Sequence, residues 1–381
     1  MKTIAVVGTG PVGLATVDML SRDSDVQVIM VDTSEGVPAT FKAAAAFWTP
    51  FSSGVDPATE LELSKLTLDF YENLRDAPGE QHGIIWRRLE QYWLKTHCIV
   101  PDWRVFESLD FDLADEDQPY SKSGDREWRL EFSYNAPVIN VTKFRDWYQK
   151  QLISRENVET FKIAPIKSLF QGKAGEQIEG LIQEKKVDAV LLCLGAATVY
   201  LNLYDTDQLN PDAISFRKGV VGYLPAQPSV DEPVMLFEGG FFDVDALYVA
   251  PHSDGYIVGG TISPAGEEYR TEDWRVSESE ISGIKERADF FLCSAYKKRL
   301  ADAGFWSNSD AVEWRVGVRP VLQNKGPYIA ESPALSSQFE SSTGKEVKFY
   351  THFGHGGSGF TFCHDTAELC VKELRSNGVL P

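Results

Sequence analysis

The residues with most capacity for chemistry stand at the two ends of a 381-residue chain. Near the start, Gly8-Thr9-Gly10-Pro11-Val12-Gly13 follows a β-branched run at 3–7 and opens an apolar helical pattern at 11–21. In such a loop the first glycine permits a tight turn, the second lets backbone approach a pyrophosphate, and the third lets helix and strand pack closely. The pyrophosphate sits at the helix N-terminus, where unpaired N–H groups and the dipole favour an anion. Pro11 suits the first helical turn, whose N–H has no intrahelical partner. A second strand at 27–31 leads to Asp32, with Thr33 beside it, 19 positions beyond Gly13 (32 − 13). A carboxylate about 20 residues on is placed to hold ribose hydroxyls. Strand, loop, helix, strand and acid in this order imply a dinucleotide site. FAD and NAD remain equal candidates for the motif, because both present adenosine diphosphate.

The second glycine loop, Gly354-His355-Gly356-Gly357-Ser358-Gly359, lies between a strand-like run at 348–353 and a helix. Ala367, Cys370, Val371 and Leu374 fall at i, i+3, i+4 and i+7 of that helix, and Gly378 is placed to stop it. Its N–H groups at a positive helix end can face a second electron-rich atom. A reduced flavin carries negative charge near N1 and O2, and donors fixed there favour reduction. His355 within this loop is expected to fix loop geometry through hydrogen bonds rather than to act as a base.

The elements that must position these loops are visible as patterns. A helix with Leu63, Leu66 and Phe70 on one face is expected at 61–70, then a polar stretch carrying Trp86, Trp93 and Trp103 as a different layer. The acidic stretch 110–125 is expected to be a solvated loop. An amphipathic helix follows at 144–153, and a buried strand at 187–194 ends on Gly195, where a ligand can approach backbone. Residues 220–261 alternate as antiparallel sheet, and 278–301 is helical. The N-terminal strands are nearly continuous apolar runs, which suits a parallel sheet buried on both faces. The fold class is therefore α/β: a Rossmann-like nucleotide domain with a second α+β domain containing a large antiparallel sheet. The first domain is expected to combine 1–50, 140–205 and 312–381, and the substrate or cap domain 51–139 and 206–311.

Thirty-seven Lys and Arg against 56 Asp and Glu leave a net charge of −19, which opposes a nucleic-acid partner. Five cysteines without a C-x-x-C pair or zinc-type histidine spacing suggest a reducing cytoplasm and no metal. No segment approaches the ~18 uninterrupted apolar residues of a membrane span, so no membrane association is expected.

Four elements, in order, resemble the D-amino-acid oxidase family: the N-terminal fingerprint, Ala43-Ala44-Ala45-Ala46-Phe47-Trp48-Thr49-Pro50-Phe51, Gly317-Val318-Arg319-Pro320, and Gly354-His355-Gly356-Gly357-Ser358-Gly359-Phe360-Thr361. They span nearly the whole chain in patches. The resemblance implies a non-covalently bound FAD and an oxidase for a small D-amino acid. Hydride passes from Cα to flavin N5, oxygen is reduced to hydrogen peroxide, and the imine hydrolyses in water. The implied partners are a small amino acid or amine and molecular oxygen, with a homodimer left open. A related flavin amine or glycine oxidase, or a dehydrogenase acting on a biosynthetic intermediate, is the alternative.

By the same resemblance, Arg319 clamps the substrate carboxylate with its bidentate fork, and the Tyr248 hydroxyl supports it. Gly8, Gly10, Pro11, Val12, Gly13, Asp32, Thr33, Thr40, Ala45, Ala46, Phe47 and Trp48 match positions around the adenosine and the flavin ring. Gly195 matches another backbone contact, and Gly356, Gly357, Ser358, Gly359, Phe360 and Thr361 match the loop at the flavin pyrimidine. Phe47, Phe51, Val244 and Gly357 line the substrate pocket. Three positions depart from the family: Val244 where a lid tyrosine is expected, Ser358 where tyrosine is frequent, and Ala46 where glycine is usual. Cys363 does not match the attachment motif of covalent flavin enzymes and is expected in the core. No second arginine neighbours Tyr248 in sequence, which disfavours an acidic substrate.

Overall fold

A computed structural model describes residues 1–33, 40–49, 56–77, 79–94, 109–113, 119–123, 126–166, 172–201, 214–238, 246–261, 263–264, 275–322, 326–344 and 346–381. The chain opens on a βαβ unit, β1 (Lys2–Val7), α1 (Pro11–Ser21) and β2 (Val26–Thr33), with the strands parallel. Short helices α2 (Pro57–Glu62), α3 (Lys65–Glu72) and α4 (Gly79–His82) precede the long β3 (Ile84–Leu94). β4 (Asp112–Leu113), β5 (Pro119–Ser123) and β6 (Arg126–Ile139) build outward from it. α5 (Val141–Ile153), β7 (Val158–Ile163), α6 (Gly172–Lys185) and β8 (Ala189–Leu192) return to the first layer. The second layer resumes with β9 (Ile214–Pro225), β10 (Val234–Glu238), β11 (Leu247–Pro251), β12 (Gly255–Gly259) and β13 (Ser263–Pro264). After α7 (Glu278–Phe291) and α8 (Ser294–Asp302) come β14 (Glu313–Leu322), β15 (Tyr328–Glu331), α9 (Pro333–Thr343), β16 (Lys348–Phe353) and α10 (Gly359–Ser376).

Two sheets result among the described residues. The first runs β15-β16-β8-β1-β2-β7 and is parallel except for β15. Its strands bury both faces, which is why they read as unbroken apolar runs. Ile4 and Val6 of β1 pack with Leu14 of α1 and Leu374 of α10, while Ala5 and Val7 pack with Ile178 of α6 and Phe339 of α9. The second sheet runs β13-β9-β12-β11-β10-β3-β6-β4, with β14 on β9 and β5 on β6. All its pairs are antiparallel except β10 with β3. α7 and α8 cover one face through Ile284, Ala288 and Leu300, which leaves the other to face the first layer.

Several elements differ from expectation for identifiable reasons. The helical stretch at 61–70 is two helices, because Asp365 of α10 accepts from the N–H groups of Leu66 and Thr67 and so starts α3 anew. The stretch 278–301 breaks at Leu292, which has extended backbone. The Trp86 and Trp93 region is the long strand β3, whereas Trp103 lies outside the described residues. The acidic stretch includes β4 and β5, short strands that pair with β6 at the margin of the second sheet. β14 was expected in the nucleotide domain, yet it pairs along its length with β9, from Glu313 opposite Tyr223 to Leu322 opposite Ile214. That pairing makes β14 part of the second sheet, since strand pairing is set by long-range hydrogen bonds rather than chain proximity. No helix among the described residues is long and apolar enough to cross a membrane. Cys193, Cys363 and Cys370 are buried and unbridged, and Cys98 lies outside the described residues.

Candidate active site

Both glycine loops open into one cavity of about 630 Å³ between the two sheets. In the first loop, Gly8 has φ +111°, and a Cβ on Gly13 would lie 1.9 Å from the Gly8 carbonyl oxygen. These two glycines serve close packing of helix on loop. At Gly10 nothing lies within 4 Å of a Cβ, so this position looks into open space. Neither α1 nor α10 has an acidic residue in its first turn, which keeps both helix starts favourable to an anion. The two starts are neighbours, since a Cβ on Gly359 would lie 3.8 Å from Pro11 Cγ. From there the second loop runs toward β14, where the Gly356 N–H donates to the Pro320 carbonyl at 3.2 Å.

At the nucleotide end, Asp32 Oδ1 accepts from Thr9 Oγ1 at 2.7 Å and from Arg145 Nη2 at 3.0 Å. Arg145 also donates to Thr9 Oγ1 at 2.8 Å and lies 5.5 Å from the Phe41 ring centre. Lys162 of β7 is the register neighbour of Asp32 and lines the cavity, as do Thr33 and Gly195. Thr9, Arg145 and Lys162 were not singled out from sequence. Arg145 is visible there only as one polar position on an amphipathic helix.

The alanine-rich loop is pinned from both layers. Thr40 Oγ1 donates to the Val318 carbonyl at 2.6 Å, and the Ile139 N–H donates to the Ala46 carbonyl at 2.7 Å. His252 Nε2 lies 3.0 Å from the Ala45 carbonyl, so it carries the proton of that bond; burial pushes this imidazole down to about 4 and keeps it neutral. Ala46 has φ +48°, a conformation costing a non-glycine residue about 1–2 kcal/mol. Ala45, Ala46 and Phe47 line the cavity. Trp48 does not: it is fully buried, its indole N–H donates to the Ser64 carbonyl at 3.2 Å, and it packs edge-on to Tyr134. Its expected cofactor contact is corrected to a core role, because the strand-like alternation after Phe47 turns it inward. Thr361 Oγ1 donates to the Thr49 carbonyl at 3.0 Å, which ties the second glycine loop to the alanine loop.

Another wall of the cavity is made by Leu236, Ala246, Tyr248, Gly260 and Arg319. The Arg319 guanidinium lies over Gly219, where a Cβ would come within 3.0–3.2 Å of it. The Tyr248 hydroxyl similarly lies over Gly259, 2.9 Å from a Cβ there. Burial raises the Tyr248 phenol above its ordinary range, and a hydrogen bond from Arg319 opposes that shift. The phenol is therefore neutral, and its proton is free to be donated. Phe47 meets the Tyr248 ring edge-on at 5.9 Å. Among the described residues no carboxylate pairs with Arg319. Phe51 and Val244 lie outside the described residues.

Two histidines back the second loop. His355 Nε2 lies 2.9 Å from Thr366 Oγ1, and burial pushes it down to about 3, so it is neutral and bound into the loop. Thr16 Oγ1 donates to the Val12 carbonyl at 2.8 Å, so His352 Nδ1, 3.3 Å away, must be the donor to that oxygen. His352 Nε2 is then a bare acceptor, buried, without a partner among the described residues, on a residue that lines the cavity.

The family model described as FAD-dependent oxidoreductase, DAO, matches residues 3–372. Among solved structures the chain is similar to iminodiacetate oxidase from a Chelativorans species, with TM-score 0.61 and 16% identity over 98% of this chain and 95% of that one. It is similar to glycine oxidase from Bacillus cereus, with TM-score 0.62 and 14% identity over 99% and 98%. L-proline dehydrogenase from P. horikoshii gives TM-score 0.61 and 13% identity over 99% and 94%. At these identities the structural likeness is one of fold. The comparison with curated protein sequences gives no match.

Proposed function

The chain belongs to the DAO family of FAD-dependent oxidoreductases, and on that premise we propose that it oxidises the Cα–N bond of a small D-amino acid, with oxygen reduced to hydrogen peroxide. FAD is the cofactor. The cavity fits it: Gly10 leaves ligand space, two acid-free helix starts face that space, and His352 Nε2 lacks the donor that a cofactor hydroxyl would supply. When bound, FAD supplies the acceptor for a hydride.

The chain's own residues do the rest. Asp32, its Oδ1 held by Thr9 and Arg145, accepts from ribose hydroxyls through its remaining oxygen. One observation carries the substrate assignment: a guanidinium without a carboxylate partner among the described residues faces the cavity beside a neutral phenol. Arginine cannot shed its proton, so this charge calls for an anion, and a carboxylate matches its fork. Arg319 and Tyr248 together hold the carboxylate, which fixes the orientation of Cα–H toward the glycine loops and makes positioning the main catalytic device. Phe47, Leu236 and Ala246 supply the apolar wall. His252 and His355 are held neutral and hydrogen-bonded within the protein, and the His352 Nε2 acceptor is assigned to a cofactor hydroxyl, so the amine proton is released to solvent.

The glycine oxidase, iminodiacetate oxidase and L-proline dehydrogenase named among the similar structures favour a second possibility, a flavin amine oxidase or dehydrogenase acting on another amine. A panel of D- and L-amino acids, glycine and sarcosine, followed by peroxide release and oxygen uptake, separates the two. Peroxide from a small D-amino acid is expected. Flavin reduction without oxygen uptake selects the dehydrogenase, and a panel in which no amine is oxidised overturns the proposal.

A further inference from the structure

His352 brackets the first glycine loop on the side away from Asp32. Thr351 stands opposite Leu192, Leu192 opposite Val7, and Val7 opposite Val31. One residue further along these parallel strands, the row reads His352, Cys193, Gly8, Asp32 across the carboxyl ends of β16, β8, β1 and β2. Backbone bonds hold the row together: the Cys193 N–H donates to the Val7 carbonyl at 2.8 Å, and the Gly8 N–H to the Val31 carbonyl at 2.9 Å. Strand spacings of about 4.8 Å put His352 about 14 Å from Asp32, with the glycine loop between them.

No neighbour among the described residues satisfies the Nε2 acceptor of this ring. Thr16 Oγ1 holds the ring proton on Nδ1 and donates its own to the Val12 carbonyl. His355, whose ring centre lies 5.1 Å away, has no proton to offer. Thr366 Oγ1 donates to the Phe362 carbonyl at 2.9 Å, so the single proton of neutral His355 sits on Nε2 and is given to Thr366. Burial, and after it the nearby His355, push His352 well below its ordinary range and keep it neutral. A bare, buried ring nitrogen on a residue that lines a cavity calls for a donor carried by the ligand.

We propose that His352 is a binding residue for the ribityl chain of FAD, accepting a hydrogen bond from one of its hydroxyls. Position along the row decides among the hydroxyls that the cofactor carries. Asp32 takes the adenosine ribose at one end, and the glycine loop takes the pyrophosphate in the middle. Beyond the pyrophosphate, the next part of FAD that bears hydroxyls is the ribityl chain. Hydrogen bonds then run one way, from ribityl to His352, from His352 to Thr16, and from Thr16 to Val12 in the first turn of α1. The helix start that faces the pyrophosphate thereby also orients the acceptor for the flavin half. The contact rests on the reading of the cavity as an FAD site and adds a named residue to its flavin half.

The test titrates full-length apoprotein with FAD, with ADP, and with an FAD analogue that carries a pentyl chain in place of ribityl. His352→Phe should weaken FAD about tenfold, the scale of one buried hydrogen bond left unmade, and leave ADP and the analogue within about twofold. His352→Gln, which keeps an acceptor, should recover part of the FAD loss. In nitrogen NMR of histidine-labelled protein, the His352 Nε2 resonance should move when FAD is added and stay in place with ADP. FAD affinity unchanged in His352→Phe, a loss that ADP or the analogue shares, or an Nε2 resonance that FAD leaves in place overturns the contact. Failure of the underlying cofactor assignment has a separate signature, no saturable binding of FAD by the unaltered apoprotein.

Discussion

The two glycine loops present backbone to the cavity, and the wall that carries Arg319 presents side chains. Gly8 to Val12 and Gly354 to Gly359 each run contiguously from a strand end into a helix start, so one short segment supplies turn, open space and N–H donors. The Arg319 wall draws Leu236 from β10, Tyr248 from β11 and Arg319 from β14, with β9 and β12 contributing glycines that give the last two room. Recognition by backbone leaves a spaced pattern in the chain. Recognition by side chains leaves single residues whose meaning depends on which strands pair.

The largest expected effect is at the wall. Arg319→Leu should raise the Michaelis constant for the amino acid substrate by about a hundredfold or more, because a bidentate charge-assisted contact is lost. An unchanged constant in steady-state kinetics would remove the distinction between wall and floor.

Next comes a test of the joint between them. His252, just after β11, donates to the Ala45 carbonyl of the alanine loop, and burial pushes His252 and His364 of α10 down to about 4 and His355 of the second loop to about 3, from an ordinary 6.5. Below pH 6.5 the unfolded chain binds protons that the folded chain refuses. Stability should therefore be fully present above pH 6.5 and fall as the pH drops toward 4, by an amount on the order of a few kcal/mol. Urea midpoints that stay level from pH 7.5 to 5 would contradict the neutral burial of these rings.

Gly13→Ala probes the floor alone. Its Cβ must push α1 away from the Gly8 carbonyl, an overpacking cost of about 1–3 kcal/mol, with weaker retention of FAD. Thermal unfolding and flavin retention equal to the parent protein would mean that helix and loop are less closely packed. The smallest effect is expected at Ala46→Gly. Relief of φ +48° and the extra unfolded-state entropy of glycine nearly offset, so the urea midpoint should rise by less than about 1 kcal/mol in equivalent stability. A lowered midpoint would show that Ala46 packing outweighs the strain.

The same contrast explains what the sequence discloses. The βαβ unit, Asp32, the second loop and its helix are legible because local spacing encodes them. Arg319 and Tyr248 are legible only through likeness to a family. Arg145 is not legible at all: it is one helical position that happens to meet Asp32. Trp48 was misassigned because adjacency to Phe47 says nothing of which way each side chain points. The break between α2 and α3 depends on Asp365, some 300 residues away, as does the beginning of the helix that follows.

The central claim is that one FAD is held by both glycine loops at once. At Gly10 in the first loop and Gly357 in the second a new side chain would meet open cavity rather than protein. Titration of apoprotein with FAD should give a single site per chain, with G10L and G357L each weakening it by about tenfold or more while leaving thermal stability of the apoprotein intact. FAD affinity unaffected by either substitution would contradict the account.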